Sequence, residues 1–231
     1  NKFYKKRIIQ MGENPQKIFV VGGLGVDNIK QVNFLSKVEI EKKFGFKFKE
    51  KNYLINFHPE TSNKKSSKSQ IREILNALKK IKNCNIFFTM PAADLENTII
   101  EKEIKIFMKN KKNTFFFKSL GQKNYYSFLK QVDLMIGNSS SGILEMPYFK
   151  KATINLGERQ SGRMMTNSVI NCKIKKKNIL DAIKKTTSLS FKKKIEKDKM
   201  FYGKSGASKK IVTILRKVNT KNLFFKKFFD I

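Results

Sequence analysis

The stretch from residue 133 to residue 163 constrains the fold of this chain more than any other. Residues 133–136 form a short apolar run that suits a buried strand, and four small polar residues follow at 138–141. Apolar residues then recur at helical spacing through 143–148, and a second apolar run occupies 152–156. This order predicts a strand, a small polar loop, a helix and a second strand.

The same alternation of strands and helices extends over residues 17–185 and predicts a parallel sheet. Predicted strands cover residues 17–21, 53–57, 84–89, 113–117, 133–136, 152–156 and 169–172. Predicted helices cover residues 1–11, 28–34, 36–45, 69–81, 95–108, 143–148, 178–185 and 207–216, and one more begins at residue 125. We therefore expect an α/β fold, a Rossmann-like parallel sheet with helices on both faces.

The polar loop has the chemistry of an anion site. Small residues at Ser139, Ser140 and Gly142 let a phosphate approach the first backbone N–H groups of the helix, which have no intrahelical partner. The hydroxyls of Ser139, Ser140 and Ser141 add further donors, so we expect a diphosphate as the ligand. Glu145, about one turn into the helix, is placed to accept hydrogen bonds from a ribose. The alternative is that the serines only cap the helix and bind no ligand.

Two commoner motifs do not fit this loop. Gly137 and Gly142 have the spacing of a P-loop, but Ile143 and Leu144 stand where that motif requires Lys and Ser or Thr. The nucleophile elbow of serine hydrolases requires Gly at residue 138, which is Asn here. We therefore expect neither P-loop nucleotide hydrolysis nor serine-esterase chemistry.

The charge of the chain suggests a second class of function. Its 231 residues have a formal net charge of +32, which would attract nucleic acid or anionic lipid at low salt. Only five of the 50 basic residues are arginine, the residue suited to bidentate phosphate and base contacts. We interpret most of the lysines as solvated surface and predict no specific nucleic-acid partner. A basic nucleic-acid-binding module remains the alternative.

Several absences in the sequence bear on location and cofactors. No apolar run approaches the length of a membrane span, and no signal peptide is visible. The two cysteines, Cys84 and Cys172, form no metal-binding pattern, so we expect a reducing cytoplasm. A single histidine excludes a multi-histidine centre, and we predict no metal. The first residue is Asn rather than Met, which predicts a fragment of a longer protein.

Four further positions have the character of site residues. His58, the one histidine, follows the predicted strand 53–57, and ligands of open parallel sheets bind beyond the carboxyl ends of the strands. The alternative is that His58 has only a structural role. Arg159 and Arg163 lie in one loop after a strand, and guanidinium groups bind phosphate and sugar oxygens well. Tyr125 either covers the face of a uracil or serves only to pack its helix against the rest of the fold.

The sequence resembles a known family at several motifs. Residues 137–145 read Gly-Asn-Ser-Ser-Ser-Gly-Ile-Leu-Glu, and residues 154–163 read Ile-Asn-Leu-Gly-Glu-Arg-Gln-Ser-Gly-Arg. Both closely resemble the hydrolysing UDP-N-acetylglucosamine 2-epimerases, which include enzymes of bacterial sialic acid and legionaminic acid biosynthesis. Shorter stretches match the family at residues 9–13, 21–29, 57–61 and 203–208. The resemblance runs through nearly the whole chain, and the motifs follow the family's order.

The resemblance implies the C-terminal half of a glycosyltransferase-B-type fold. Residues 1–22 would be the last helix and strand of the first domain, and residues 23–30 a hinge. Residues 31–205 would form the Rossmann-like UDP-binding domain, and residues 206–231 a C-terminal helix and a basic-aromatic tail. The implied reaction converts UDP-N-acetylglucosamine to N-acetylmannosamine and UDP, by elimination to 2-acetamidoglucal and addition of water. It implies no metal or organic cofactor.

The resemblance also assigns roles to individual residues. His58 would be catalytic beside the diphosphate, Ser139, Ser140, Gly142, Glu145 and Tyr125 would bind the nucleotide, and Arg159 and Arg163 would bind sugar or diphosphate. The carboxylates that handle the C2 proton would belong to the missing first domain, so this chain alone is expected to be inactive. The implied partners are a UDP-sugar and, in the full-length form, further copies in a homo-oligomer. GDP in place of UDP, UDP-diacetylbacillosamine as substrate, and a UDP-sugar glycosyltransferase of the same fold stay open.

Overall fold

The computed structural model describes residues 1–60, 66–91, 96–219 and 227–230. The chain divides into two compact units, one formed by Val32–Lys199 and the other by Asn1–Gln31 with Met200–Ile231. The helices are α1 (Lys2–Gln10), α2 (Leu24–Gln31), α3 (Lys37–Phe44), α4 (Ser67–Leu78), α5 (Asn97–Met108), α6 (Gly121–Gln131), α7 (Ser141–Leu144), α8 (Lys176–Thr186), α9 (Leu189–Glu196) and α10 (Ala207–Lys217). The strands are β1 (Lys51–Asn56), β2 (Cys84–Thr89), β3 (Thr114–Phe117), β4 (Leu134–Gly137), β5 (Ala152–Leu156) and β6 (Val169–Cys172). None of the helices within these ranges is long and apolar enough to span a bilayer.

The strands of the larger unit form one parallel sheet. Its order is β3-β2-β1-β4-β5-β6. The chain first adds β2 and β3 on one side of β1, then crosses back through α6 and adds β4, β5 and β6 on the other side. A sheet with this order has its topological switch point between β1 and β4, where open α/β sheets bind their ligands. The predicted α/β class is confirmed.

Both faces of the sheet are buried, which explains why its strands read as nearly continuous apolar runs. On one face, side chains such as Ile55 and Phe88 share a core with the buried residues of α4, α5 and α8. On the other face, Phe87 stacks on Phe115 with ring centroids 5.3 Å apart and meets Phe128 of α6 edge-on at 5.1 Å. Helices therefore cover both faces of the sheet, as predicted.

Most of the predicted elements are present, with bounds that shift by a few residues. β2, β5 and β6 occupy the predicted residues. The capping box of Ser36 and Glu39 forms at the start of α3, where each side chain accepts a hydrogen bond from the other residue's backbone N–H. The basic-aromatic tail predicted within residues 206–231 lies partly outside the described residues.

The strand predicted at residues 17–21 is wrong. Pro15–Lys17 form a 3-10 helix capped by the Asn14 side chain, and residues 18–21 pair with no strand in the described part of the chain. An apolar run becomes a strand only where a neighbour completes its ladder of backbone hydrogen bonds. Here Phe19 and Val20 stay 50% and 42% exposed.

Three helices differ from the prediction. α2 spans Leu24–Gln31 where a helix was predicted over residues 28–34, so it occupies most of the predicted hinge at residues 23–30. The single helix predicted over 143–148 is a four-residue α7 followed by the 3-10 helix Met146–Phe149, because Pro147 has no N–H with which to continue an α-helix. The sequence pattern does not predict α9, whose two buried residues are surrounded by lysines.

In the smaller unit, one buried carboxylate joins α2 to α10. Asp27 accepts hydrogen bonds from the backbone N–H groups of Gly206 and, at 2.7 Å, of Ser208, and from the Ser208 hydroxyl at 2.6 Å. These donors, the Ser208 hydroxyl first among them, lower the pKa of Asp27 to about 2. Gly206 has no side chain with which to cap α10, so Asp27 supplies the cap from another helix.

Candidate functional site

The candidate site lies at the carboxyl ends of β1 and β4, on either side of the switch point. β1 leads into His58, and β4 leads into the serine loop, residues 138–141. The ladder between the two strands ends with Asn56 opposite Gly137. Gly137 has a φ of +154°, and a Cβ there would lie 1.9 Å from the Asn56 carbonyl oxygen. Only glycine therefore lets the strands stay paired up to the edge of the site.

Asn138 joins the two strand ends. Its buried side-chain Oδ1 accepts a hydrogen bond from the His58 N–H at 2.7 Å, and its Nδ2 donates to the His58 carbonyl oxygen at 2.9 Å. Its backbone N–H donates to the Asn56 carbonyl oxygen at 3.2 Å. The backbone of His58 is therefore held directly beside the serine loop.

The loop after β5 reaches the same point. The Asn138 carbonyl oxygen accepts hydrogen bonds from Arg159 Nη1 at 3.2 Å and from Gln160 Nε2 at 2.8 Å. Glu60, in the segment after β1, accepts a hydrogen bond from the Glu158 N–H at 2.6 Å. The segments that follow β1, β4 and β5 are therefore tied together around Asn138.

The serine loop keeps free donors. Among the described residues, no partner accepts from the backbone N–H groups of Ser139 and Ser140. The Ser139 hydroxyl oxygen accepts from the Ser141 N–H at 3.3 Å. These two consecutive N–H groups, one residue from the carbonyl that holds Arg159, are donors of the kind that bind phosphate oxygens.

Gly142 has a packing role in this loop. A Cβ at Gly142 would lie 2.5 Å from the Thr153 methyl carbon. The Gly142 carbonyl oxygen also accepts from the Thr153 hydroxyl at 2.8 Å. Glycine here lets α7 lie directly on β5, and the contact between Gly142 and a nucleotide stays a prediction.

A cluster of hydroxyls surrounds Glu145. Its carboxylate accepts hydrogen bonds from the Ser141 hydroxyl and, at 3.5 Å, from the Tyr126 hydroxyl. Burial raises the pKa of Glu145, and the two hydroxyl donors oppose that effect without cancelling it. A carboxylate offers about four lone-pair sites. Glu145 therefore has the capacity to accept further hydrogen bonds from the hydroxyls of a ligand.

Tyr125 belongs to the same cluster. Its hydroxyl donates to Ser141 Oγ at 2.7 Å, and its ring centroid lies 6.2 Å from that of Tyr126. Burial also raises the pKa of Tyr125, so the hydroxyl stays neutral. Ser141 therefore links Tyr125 to Glu145, and the stacking of Tyr125 on a base stays a prediction.

The structure separates the two arginines that the sequence groups in one loop. Arg163 is exposed and lines a cleft of about 450 Å³ with Asn155 of β5 and Asn171 of β6. Asn155 donates to Asn171 Oδ1 at 2.8 Å, and its own Oδ1 is buried without a partner among the described residues. Arg159 is thus tied to the switch point, whereas Arg163 lies beside the edge strand.

The residues that hold the site together are ones whose structural role the sequence does not reveal. Asn138, Gln160, Glu60 and Ser141 make the hydrogen bonds described above. Of these, the sequence suggested only Ser141, as a hydroxyl donor to a phosphate, and its link between Tyr125 and Glu145 was not predicted. The sequence feature that could have indicated them is their position, because each lies within one of the motifs that resemble the family. Side chains that could reach a ligand attract notice in a sequence, whereas side chains that only tie loops together do not.

Comparison with known proteins assigns a family. The family model described as UDP-N-acetylglucosamine 2-epimerase matches residues 1–216. The chain belongs to this family. It is 37% identical to the GDP/UDP-N,N'-diacetylbacillosamine 2-epimerase (hydrolyzing) of Campylobacter jejuni, over 100% of this chain and 60% of that protein. It is 36% identical to polysialic acid biosynthesis protein P7 of Escherichia coli, over 99% of this chain and 58% of that protein. This epimerase-family chain therefore spans less than two thirds of the length of either relative.

A solved structure shares the fold of this family member. The crystal structure of UDP-GlcNAc 2-epimerase from Neisseria meningitidis bound to UDP-GlcNAc matches with a TM-score of 0.68 and 18% identity, over 94% of this chain and 59% of that chain. At this identity the likeness concerns the fold alone. The predicted UDP-N-acetylglucosamine 2-epimerase family and the predicted half of a glycosyltransferase-B-type fold are confirmed, and the hydrolysing type stays a prediction.

Proposed function

We propose that this chain carries the nucleotide-binding half of a hydrolysing UDP-N-acetylglucosamine 2-epimerase. The observation that supports it most is the pair of unpartnered N–H groups at Ser139 and Ser140, next to the point where Asn138 joins His58 and Arg159. The hydrolysing relative from Campylobacter supports the reaction type. In this proposal the diphosphate lies against the serine loop and the ribose hydroxyls reach Glu145.

The proposed reaction has two steps. A base removes the proton from C2 of the sugar while the C1–O bond breaks and its electron pair leaves with UDP, which gives 2-acetamidoglucal. Water then adds across the C1–C2 double bond, with hydroxyl at C1 and a proton at C2. One water is consumed, and the products are UDP and free N-acetylmannosamine.

The first step places additional negative charge on the departing diphosphate. Donors that are already held in position stabilise such charge without reorganising during the reaction. The proposal gives this task to the N–H groups of Ser139 and Ser140, the Arg159 guanidinium and the His58 side chain. His58 is the catalytic residue of this set, since it would act on the leaving group. Arg163 remains a proposed sugar or diphosphate contact, reached through the cleft between β5 and β6.

The relatives also suggest which substrates to compare. The Campylobacter protein's name includes both GDP and UDP and the sugar N,N'-diacetylbacillosamine, so GDP-sugars and UDP-diacetylbacillosamine form the second candidate substrate class. The Escherichia coli relative's name supports a role in the synthesis of sialic acid. We further propose that the full-length enzyme is a cytoplasmic homo-oligomer that uses no metal or organic cofactor.

Isothermal titration calorimetry of this chain with UDP, GDP, UMP and uridine tests the binding half. We expect UDP to bind about tenfold more tightly than UMP, because its second phosphate adds charge-assisted hydrogen bonds to the loop. Equal affinities for UDP and uridine would mean that the loop binds no phosphate, and the proposal would fail. Tight binding of a single-stranded RNA that UDP does not compete for would favour the nucleic-acid alternative.

A further inference from the structure

Asn138 continues the pairing of β1 and β4 beyond the point where their backbones part. The ladder ends at Asn56 opposite Gly137, and the φ of +154° at Gly137 turns the chain out of the strand. The Asn138 side chain then accepts from the His58 N–H at 2.7 Å and donates to the His58 carbonyl oxygen at 2.9 Å. A side-chain amide thus makes both hydrogen bonds that a backbone peptide group would make in a strand.

The backbone of Asn138 holds the third segment of the site. Its carbonyl oxygen accepts from Arg159 Nη1 at 3.2 Å and from Gln160 Nε2 at 2.8 Å. Gln160 is itself only 3% exposed, and its Oε1 has no partner among the described residues, so the bond to Asn138 is what holds its amide. Together with the hydrogen bond from the Glu158 N–H to Glu60, Asn138 therefore sets where the segment after β1 stands relative to the loop after β5.

Asn138 does not itself have a surface for a ligand. Its relative exposure is 0%, and both side-chain polar atoms are bonded to His58. Asparagine suits this place because it offers one acceptor and one donor on the same short side chain, whereas an ionised aspartate offers acceptors alone. An aspartate would lose the bond to the His58 carbonyl and bring a negative charge next to the proposed diphosphate.

We propose that Asn138 is a positioning residue, which fixes His58 and Arg159 beside the diphosphate without touching it. The inference rests on the proposed function, because it needs a nucleotide at the serine loop. Positioned charged groups lose much of their effect when they are displaced by about 1 Å. Loss of Asn138 should therefore weaken the binding of UDP and change how His58 responds to it.

The experiment measures UDP affinity together with the NMR signal of His58. The chain has one histidine, so its imidazole Hε1 resonance is a unique reporter. In Asn138→Ala and Asn138→Asp we expect the Kd for UDP to rise about tenfold or more, equivalent to one charge-assisted hydrogen bond. We also expect the shift that UDP induces in the His58 signal to shrink or disappear.

Asn85→Ala is the matched control. Asn85 is 2% exposed, and its Nδ2 donates to the Lys47 carbonyl oxygen at 2.8 Å, near the start of β2 and away from the switch point. Its loss should lower the melting temperature much as Asn138→Ala does, with the Kd for UDP unchanged within about twofold. An equal loss of UDP affinity in the two variants would show that Asn138 acts through stability alone and would overturn the inference.

The remaining outcomes separate the two proposals. If the wild-type chain binds no UDP, the proposed function fails, and Asn138 has nothing to position. If the wild-type chain binds UDP and the folded Asn138 variants bind it as well with the same His58 shift, the positioning role alone is wrong.

If neither Asn138 variant folds, amide hydrogen exchange of the wild type decides. Saturation with UDP at 100 times its Kd should slow exchange of the His58 N–H about 100-fold, since the bond to Asn138 must then open against bound ligand. An exchange rate at His58 that UDP leaves unchanged would show that this bond is not coupled to the site, and the inference would be wrong.

Discussion

Two carboxylates, one in each compact unit, accept hydrogen bonds from hydroxyl groups, yet their pKa values shift in opposite directions. Asp27 accepts from backbone N–H groups at the start of α10 and from a serine hydroxyl, and its pKa falls to about 2. The hydrogen bonds described for Glu145 come from two hydroxyls, and burial raises the pKa of Glu145. Hydrogen bonding by a hydroxyl therefore does not by itself decide the direction of the shift.

The difference separates a structural carboxylate from one with unused binding capacity. The N–H groups at the start of a helix carry partial positive charge, so the ionised Asp27 completes the cap of α10 and stabilises the fold. Burial disfavours the ionised form of Glu145, and further donors from a ligand would offset that cost. We infer that Asp27 serves stability, whereas Glu145 reduces stability in exchange for binding. Four predictions test this comparison.

The largest expected effect is the absence of turnover by this chain. Neither of these two carboxylates is available for proton removal at C2, because Asp27 caps a helix and Glu145 is proposed to bind the ribose, and the family resemblance places the carboxylates for that step in the first domain. A base must lie within hydrogen-bond reach of the proton that it removes. NMR of UDP-N-acetylglucosamine in D2O with the 231-residue chain should show no free N-acetylmannosamine and no deuterium at C2. Appearance of that sugar would mean that a group of this chain acts as the base and would contradict the assignment of that base to the first domain.

The next effect concerns UDP affinity in Glu145→Ala. Removal of a carboxylate that accepts hydrogen bonds from ribose hydroxyls should cost about 1.5–3 kcal/mol, a tenfold to 150-fold rise in Kd. Calorimetry measures the change, and Glu196→Ala, which removes the same charge from the exposed side of α9, should bind UDP like the wild type. Unchanged affinity in a folded Glu145→Ala protein would remove Glu145 from the ribose site.

A smaller effect is the pH-dependent loss of stability in Asp27→Asn. A carboxyl whose pKa is lowered on folding contributes stability above its unfolded pKa of about 4, and that contribution is lost as the pH falls towards 2. Thermal unfolding should therefore show a lower melting temperature for the variant at pH 7 and a shrinking difference between about pH 4 and pH 2. Asp181→Asn, on the exposed side of α8, is the control. A difference that persists unchanged at low pH would mean that ionisation of Asp27 does not support the cap.

The smallest effect is a gain of stability in Glu145→Gln. A carboxyl whose pKa is raised on folding contributes stability below its unfolded pKa of about 4, and that contribution is lost as the pH rises through the folded value. Near pH 8 the neutral glutamine should therefore raise the free energy of unfolding by on the order of 1 kcal/mol, while UDP binding weakens. A lower melting temperature would make Glu145 a structural carboxylate like Asp27 and would break the comparison.

The sequence predicts much of the fold because local patterns specify it. The apolar runs at 84–89, 152–156 and 169–172 are strands at those bounds, and Ser36 with Glu39 forms the predicted capping box. Where a local pattern has no partner in the fold, the same reasoning fails, as at residues 17–21. An apolar run describes which side chains prefer burial, but it does not say whether a neighbouring strand will be present.

The residues of the site show the same division between what the local sequence determines and what the fold determines. The sequence by itself determined that small residues and serines follow β4, that a histidine follows β1, and that arginines follow β5. The tertiary structure alone decided that Asn138 pairs with His58, 80 residues away, and that Asp27 caps a helix that begins 180 residues later. The tertiary structure also decided that Arg159 lies at the switch point and that Arg163 lines the cleft beside β6. Propensity and periodicity depend on neighbours within a few residues, whereas a hydrogen bond between distant segments depends on the register and twist of the whole sheet.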